Sequence, residues 1–238
     1  MRINWNYIRF SGLLLVTVLL YAFASQRNSA RLVDKVAIKF DDESTPFVTR
    51  ETVDKLLIQS KGKVTGMPKE KLALNEMEKR VTSHPTIKSA DVYVTMAGTV
   101  GVAIEQRKPI ARVYGATSFY LDQDGEEMPL SKNFSARVPI VNGIEKKDIP
   151  TVTSLILYIK NDAFLNKHII GVRKQKGNQY TLIPRKLDYE ILLGDVASLE
   201  HKLTNYKAFY QKAQKDKTLD MYQLINLKYT NQVVCKKR

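Results

Sequence analysis

Residues 10–24, FSGLLLVTVLLYAFA, run for fifteen positions without a charge. A run of that length so near the start of a chain crosses a bilayer, directs secretion, or lies inside a large core. Counted from Ile8, with Arg9 snorkelling, it makes a helix of about 17 residues and about 25 Å, slightly short of a ~30 Å hydrocarbon core. Trp5, Tyr7 and Tyr21 sit where interfacial aromatics belong, which favours a membrane span over a buried core helix. Ala22-Phe23-Ala24 before Ser25 has the A-x-A form of a signal-cleavage site, so a cleaved secretory signal stays open as the alternative. Arg2 and Arg9 on the short side face Arg27, Arg31 and Lys35 on the long side, and a positive-inside count does not orient the segment. A long C-terminal domain translocates largely regardless of its charge, so the N-terminus is expected inside and the body outside the cytoplasmic membrane.

The remaining chain is long enough for one large or two small cores, since 44% of the 238 residues are hydrophobic and 26% charged. Its formal net charge of +14 attracts nucleic acid, an anionic membrane surface or an acidic partner alike. Basic residues are spread along the chain, and the densest run is the tail Lys236-Lys237-Arg238. Nowhere do aromatics interleave with lysines as a stacking platform requires, so no nucleic-acid partner is expected. The single cysteine, Cys235, can form no internal disulfide and leaves the redox compartment open.

Periodicity then organises the body. Val36, Ile38 and Phe40 alternate with Lys35, Ala37 and Lys39, the signature of a half-buried strand. Thr49 can cap a helix carrying Val53, Leu56, Leu57 and Ser60 and ending near Lys61-Gly62. A second helix is expected from Pro68, with Leu72, Leu74, Met77 and Val81 on one face, stopping at His84-Pro85. His84 reads as punctuation that caps carbonyls of that last turn. Ala90, Val92, Val94 and Met96, a turn at Ala97-Gly98, then Val100, Val102 and Ile104 read as a β-hairpin. The order strand, helix, helix, strand, strand lays two helices on one face of a three-stranded sheet.

After Pro109 the strand candidates are residues 110–114, 119–122, 126–130, 169–174, 180–184, 189–193 and 223–229. Two helices interrupt them: IPTVTSLILYIKN, which Asp148 can cap, and a second that Asp195 or Ser198 can cap, with Leu199, Leu203, Tyr206 and Tyr210 at helical spacing. No repeat or low-complexity linker separates the two regions.

Residues for chemistry are sparse. His84, His168 and His201 are far apart, none in a metal-binding spacing, and Cys235 has no cysteine partner. The run from Asp122 to Glu127 lacks the register of a calcium loop and reads as a hairpin turn with Gly125 at positive φ. Gly62 and Gly66 lack the Lys-Ser/Thr of a phosphate loop, and there is no Gly-x-Ser-x-Gly elbow. Asn133-Phe134-Ser135 matches a glycosylation sequon that arises by chance. No catalysis, metal, cofactor or small-molecule substrate is therefore expected. Binding remains, and the best candidate is the terminal segment INLKYTNQVVC, residues 225–235, read as an edge strand to which an incoming strand adds. Tyr229 within it reads either as interface or as core.

The stretch HPTIKSADVYVTMAGTVGVAIEQRKPIARVY resembles the end of the polypeptide-transport-associated (POTRA) domain of the FtsQ/DivIB bacterial cell-division family. FYLDQDGEEMPL, VPIVNG, YEILLGD with the helix after it, and YQLINLKYTNQVVCKK are similar to successive elements of that family's C-terminal domain. Three positions depart from its pattern. The acidic-basic pair reads Glu105-Gln106-Arg107, Asp195 stands where relatives often carry a basic residue, and Asn226 replaces the usual Asp of the terminal strand.

The resemblance implies an α+β architecture: a short cytoplasmic tail at 1–9, a transmembrane anchor at 10–26, and a POTRA-like β-α-α-β-β domain at 31–108. A mixed, mostly antiparallel β domain with two helices at 109–235 and a basic tail at 236–238 complete it. It further implies a non-catalytic divisome scaffold at the division site that helps control septal wall synthesis. FtsB-like and FtsL-like membrane-anchored proteins would be its partners, received by strand addition at Tyr229, Asn231, Val233 and Cys235. A signal-cleaved periplasmic POTRA-type chaperone or peptide binder is the alternative.

Overall fold

The computed structural model describes residues 5–29, 31–58, 64–229 and 231–238. The chain forms two compact units, Met1–Gln106 and Arg107–Arg238.

Helix α1, Trp5–Ser29, opens the first unit, and Tyr7–Asn28 within it is apolar enough to cross a membrane, with a mean hydropathy of 1.8. Its 25 residues reach about 37 Å at ~1.5 Å per residue, longer than the apolar run alone, because no glycine or proline breaks the helix between Ala24 and Asn28.

Strand β1 is Lys35–Phe40, and helix α2, Arg50–Leu57, follows with Thr49 as N-cap, its hydroxyl accepting from the Thr52 amide at 3.2 Å. Helix α3 is Leu74–Thr82, and strands β2, Ile87–Val94, and β3, Thr99–Gln106, form the expected hairpin. The sheet order is β1-β3-β2, with β3 parallel to β1 and antiparallel to β2. Val53, Leu57, Met77, Val81, Val100, Val102 and Ile104 fill the core between sheet and helices. On the opposite face Tyr93 stands across from Gly101, where a Cβ would come within 2.3 Å of its ring. Only a glycine leaves room for that ring.

Two expectations are corrected in this unit, and a third is refined. Helix α2 ends at Leu57, because Ile58 is extended (φ −61°, ψ 117°), and the expected end at Ser60 to Gly62 lies outside the described residues. The next helix starts at Leu74 and not at Pro68. There the chain is held extended against the segment after α1, with the Val33 amide on the Met67 carbonyl at 2.9 Å and the Lys69 amide on the Arg31 carbonyl at 3.3 Å, before a single 3₁₀ turn at Lys69–Lys71. The His84 amide caps the Val81 carbonyl in the last turn at 3.1 Å, while its imidazole caps none. The Ser83 hydroxyl takes the Arg80 carbonyl at 2.7 Å, while His84 Nδ1 meets the Thr86 hydroxyl at 2.8 Å, and burial holds the imidazole pKa below its ordinary value.

The second unit is one nine-stranded mixed sheet. Strands β4 (Pro109–Tyr114), β5 (Phe119–Asp122), β6 (Glu127–Pro129) and β7 (Ile140–Asn142) precede helices α4 (Ile149–Asn161) and α5 (Ala163–His168). Strands β8 (Ile169–Gln175), β9 (Gln179–Pro184) and β10 (Glu190–Gly194) follow, then helix α6 (Leu199–Lys215) and strands β11 (Tyr222–Asn226) and β12 (Val234–Lys237). The strand order is β12-β11-β10-β9-β8-β7-β4-β5-β6, and α4, α5 and α6 bury Val152, Leu155, Ile159, Leu165, Leu203 and Tyr206 in its core.

Helix α5 and the separate strand β12 were not expected, and none of Asp148, Asp195 and Ser198 caps its helix through its side chain. Asp148 is already helical (φ −90°, ψ −12°), the end of a 3₁₀ turn that runs into α4; its carboxylate accepts from the Glu145 amide and from Lys174 Nζ. Asp195 accepts from the Ala197 amide and from Lys202 Nζ, and Ser198 is left-handed (φ 53°) with no capping bond from its side chain. Asp122 Oδ1 accepts from the amides of Asp124 and Glu126, and Oδ2 pairs with Arg107 at 2.7 Å. The carboxylate thus closes the turn in which Gly125 takes φ +81°.

Candidate functional site

The terminal segment is not one strand, as the alternation of residues 225–235 suggested, but a hairpin. β11 runs parallel to β10, with Ile191 opposite Ile225, and β12 returns antiparallel, with Ile225 opposite Cys235 and Asn226 opposite Val234. The reversal follows from Asn226, whose Oδ1 accepts from the Lys228 amide at 3.0 Å and turns the chain out of the ladder, while the Leu227 amide still reaches the Leu192 carbonyl at 2.8 Å. Ile225 and Leu227 are buried, so the first half of the segment closes the core and the second half forms the edge.

Of the four residues expected at the interface, Tyr229 and Asn231 lie in the connection between β11 and β12, and Val233 and Cys235 in or beside β12. The Tyr229 side chain is 54% exposed and Asn231 is exposed. Val233 and Cys235 are half-buried against the unit's core, and burial raises the pKa of the Cys235 thiol. Val234, Lys236 and Lys237 are exposed on the same strand.

The ladder fixes which backbone groups the edge presents. The Leu227 amide points to β10 and the Arg238 amide to the Met221 carbonyl at 3.0 Å. Alternation then aims the amides of Val234 and Lys236 at β11 and those of Cys235 and Lys237 outward, where the strand order ends. Such a row of outward amides and carbonyls is a template for an added strand.

Behind the edge lies an aromatic cluster. Tyr206 in α6 bonds His168 Nε2 at 2.6 Å and the Tyr189 hydroxyl at 2.9 Å, and Phe164 stacks on His168 with ring centroids 4.8 Å apart. Burial pushes the His168 pKa down to about 4 and that of Tyr189 up to about 12. These groups are spent on one another and on packing. Among the described residues no group of three or more His, Cys, Asp or Glu side chains gathers as a metal site.

An apolar N-terminal helix, a β-α-α-β-β module and a mixed sheet with an open terminal hairpin define a class of two-module proteins. Residues 32–105 match the POTRA-like domain and residues 108–236 the FtsQ/DivIB C-terminal related domain. The chain belongs to the FtsQ/DivIB family. It is 23% identical over 179 residues to the cell division protein FtsQ of Geotalea daltonii, an alignment covering 70% of this chain and 64% of that relative. It is 24% identical over 176 residues to the cell division protein FtsQ of Rhodothermus marinus, covering 65% and 62%. The chain therefore spans somewhat under two thirds of the length of each.

Proposed function

We propose that this chain is a non-catalytic cell-division scaffold, retained in the cytoplasmic membrane by α1 with its body outside, and that it receives a membrane-anchored partner by strand addition along β12. The observation that carries this reading is the terminal edge, where a strand with outward amides at Cys235 and Lys237 is flanked by the exposed Tyr229. Family membership supplies the context of division. FtsB-like and FtsL-like proteins are the proposed partners, with Tyr229, Asn231, Val233 and Cys235 as the contact positions and control of septal wall synthesis as the outcome. An anchor confines both proteins to one plane and raises their effective concentration, so a modest edge affinity suffices. Residues 201–238 carry nine Lys or Arg against Asp216 and Asp220, a field that favours an acidic partner segment.

Photo-crosslinking in living cells from probes at Tyr229, Val233 and Lys88 tests the proposal. Small membrane-anchored division proteins captured from the first two positions and not from Lys88 are the expected result. Capture of soluble proteins alone from Tyr229 and Val233 would reject it, and a mature chain beginning at Ser25 would favour a signal-cleaved binder.

A further inference from the structure

The β2–β3 hairpin tip of the POTRA-like unit is tied directly to the exit of α1. Arg31 Nη1 donates to the Met96 carbonyl at 2.6 Å, and Lys69 Nζ donates both to that carbonyl and to Asn28 Oδ1, each at 3.2 Å. A single ammonium therefore bridges the tip and Asn28, the last residue of the candidate span. The segment between them is held on both sides. The Val33 amide reaches Met67, and the Asp34 amide reaches the Gly98 carbonyl at 3.0 Å. Gly98 (φ +91°) lies so close that a Cβ there would stand 2.7 Å from the Leu32 carbonyl. Residues 31–34 are thus held against the hairpin tip and the 66–69 segment.

Depth follows from the helix. The uncharged run ends at Ala24, and Asn28 stands four residues further on, about 6 Å along the axis. Headgroups add about 5–8 Å on each side of the hydrocarbon core, so Asn28, and with it Met96, falls inside the headgroup layer. The side chains suit that layer. Met96 is 87% exposed and Leu32 55% exposed, both apolar beside the chain's exit from the bilayer. Arg27, Arg31, Lys69 and Lys71 outnumber Asp34 and Glu70 in the segments that form the junction. A soluble domain gains nothing from an apolar tip ringed by cations; a domain lying on anionic lipid gains from both.

We infer that the POTRA-like unit seats its Met96 hairpin tip and Leu32 in the membrane headgroup layer, held there by anionic lipid headgroups. This rests on the reading of α1 as a retained anchor. The seat sets the orientation of the unit on the membrane and limits how far it can swing.

The test uses the full chain carrying Cys235→Ser, reconstituted in vesicles of phosphatidylglycerol and phosphatidylethanolamine, with a nitroxide placed in turn at Met96→Cys, Glu105→Cys and Leu15→Cys. Position 105 lies seven residues along from Gly98, about 23 Å from the tip. Relaxation by oxygen, which enters lipid, is compared with relaxation by a water-soluble nickel chelate. The 96 label is expected to favour oxygen, the 105 label the chelate, and the contact at 96 to fall when phosphatidylcholine replaces the anionic lipid. A 96 label as aqueous as the 105 label, with the 15 label buried, overturns the seat and leaves the anchor standing. Aqueous readings at both 96 and 15 overturn both. Equal contact at 96 in the two lipid mixtures overturns the assignment to anionic headgroups.

Discussion

Cys235 and Ile225 stand opposite each other in the terminal hairpin as a non-hydrogen-bonded pair, each turning its amide away from the other strand. Ile225 spends its amide on β10; Cys235 turns its own toward open solvent at the end of the sheet. The two faces of one hairpin thus differ, closure on one side and, under the proposed function, recognition on the other.

A proline separates those roles. Cys235→Pro removes an outward amide and leaves the hairpin's own bonds in place, a position where an edge strand tolerates proline. It is expected to leave the thermal unfolding midpoint nearly unchanged while weakening partner binding about tenfold, ~1.4 kcal/mol. Lys236→Pro removes an inward bond and should lower the midpoint itself. Cys235→Ala, which keeps the amide, should bind like the parent chain. Equal binding by Cys235→Pro and Cys235→Ala would remove strand addition at this edge from consideration.

Gln106, at the end of β3, holds the loop that leads into α2. Its Oε1 accepts from the Phe47 amide at 3.0 Å and the Val48 amide at 3.1 Å, and all three residues are buried. Gln106→Ala would strand the buried Val48 amide and leave the Phe47 amide on the Thr45 carbonyl at 2.8 Å, a loss of about 1–3 kcal/mol from the first unit alone. Hydrogen exchange should show faster opening at Phe47 and Val48 with no change at Ile191 or Leu193; uniform protection across both units would contradict this role.

Lys174 in β8 reaches Asp148 at 2.7 Å with both side chains largely buried. Burial raises the Asp148 pKa, but the Lys174 hydrogen bond, the Glu145 amide and the nearby positive charges outweigh it, and the net direction is downward. A depressed carboxylate contributes stability that is present above its unfolded pKa and lost as pH falls through its folded value. Lys174→Met should therefore cost about 3 kcal/mol at neutral pH by leaving a buried charge unpaired, and less at pH values acid enough to protonate Asp148. Urea unfolding at neutral and acid pH measures the difference, and an equal cost at both would show that lost packing, not the ion pair, dominates.

Elements with strict periodicity were legible in the sequence. The strands β1 and β3 to β5, the capped start of α2 and the 3.6-residue face of α6 follow from local spacing, and local spacing forms them. Elements that depend on distant partners were not. The start of α3 is delayed because residues 66–69 pair with residues 31–33, a contact no local window contains. Strand β12 was hidden because Ile225, Leu227 and Tyr229 alternate with Asn226, Lys228 and Thr230 past the point of reversal, and only the Asn226 side chain on the Lys228 amide signals it. Asp148 sits where a cap sits, but Lys174 claims its carboxylate from β8, and Asp195 stands three residues ahead of the Ser198 N-cap with its carboxylate on Lys202 of α6. The four expected contact residues follow from the resemblance, whereas the outward amides of Cys235 and Lys237 follow from the hairpin register, which no local spacing contains.

His168 supplies the test of the aromatic cluster behind the edge. Burial lowers its pKa to about 4, whereas an unfolded histidine titrates near ~6.5. Between those values the unfolded chain binds a proton that the folded chain refuses, so stability rises with pH across that window and is lost on acidification from about 6.5 toward 4. With the proton of the neutral imidazole on Nδ1, His168 Nε2 accepts from the Tyr206 hydroxyl, which leaves the Tyr206 oxygen free to accept from Tyr189. Protonation makes Nε2 a donor, reverses both bonds and leaves the buried Tyr189 proton in need of another acceptor. The ring is half-buried, which reduces the effect to about 1–2 kcal/mol. His168→Gln retains a hydrogen-bonding group without the titration, so its unfolding free energy should be flatter than the parent's between pH 6.5 and 4.5. The carboxylates that titrate lower, Asp148 and Asp162 among them, act equally on both chains and cancel in the comparison. Parallel pH profiles for the two chains would show that His168 ionises as freely folded as unfolded, and that the Tyr206 bond does not restrict its protonation.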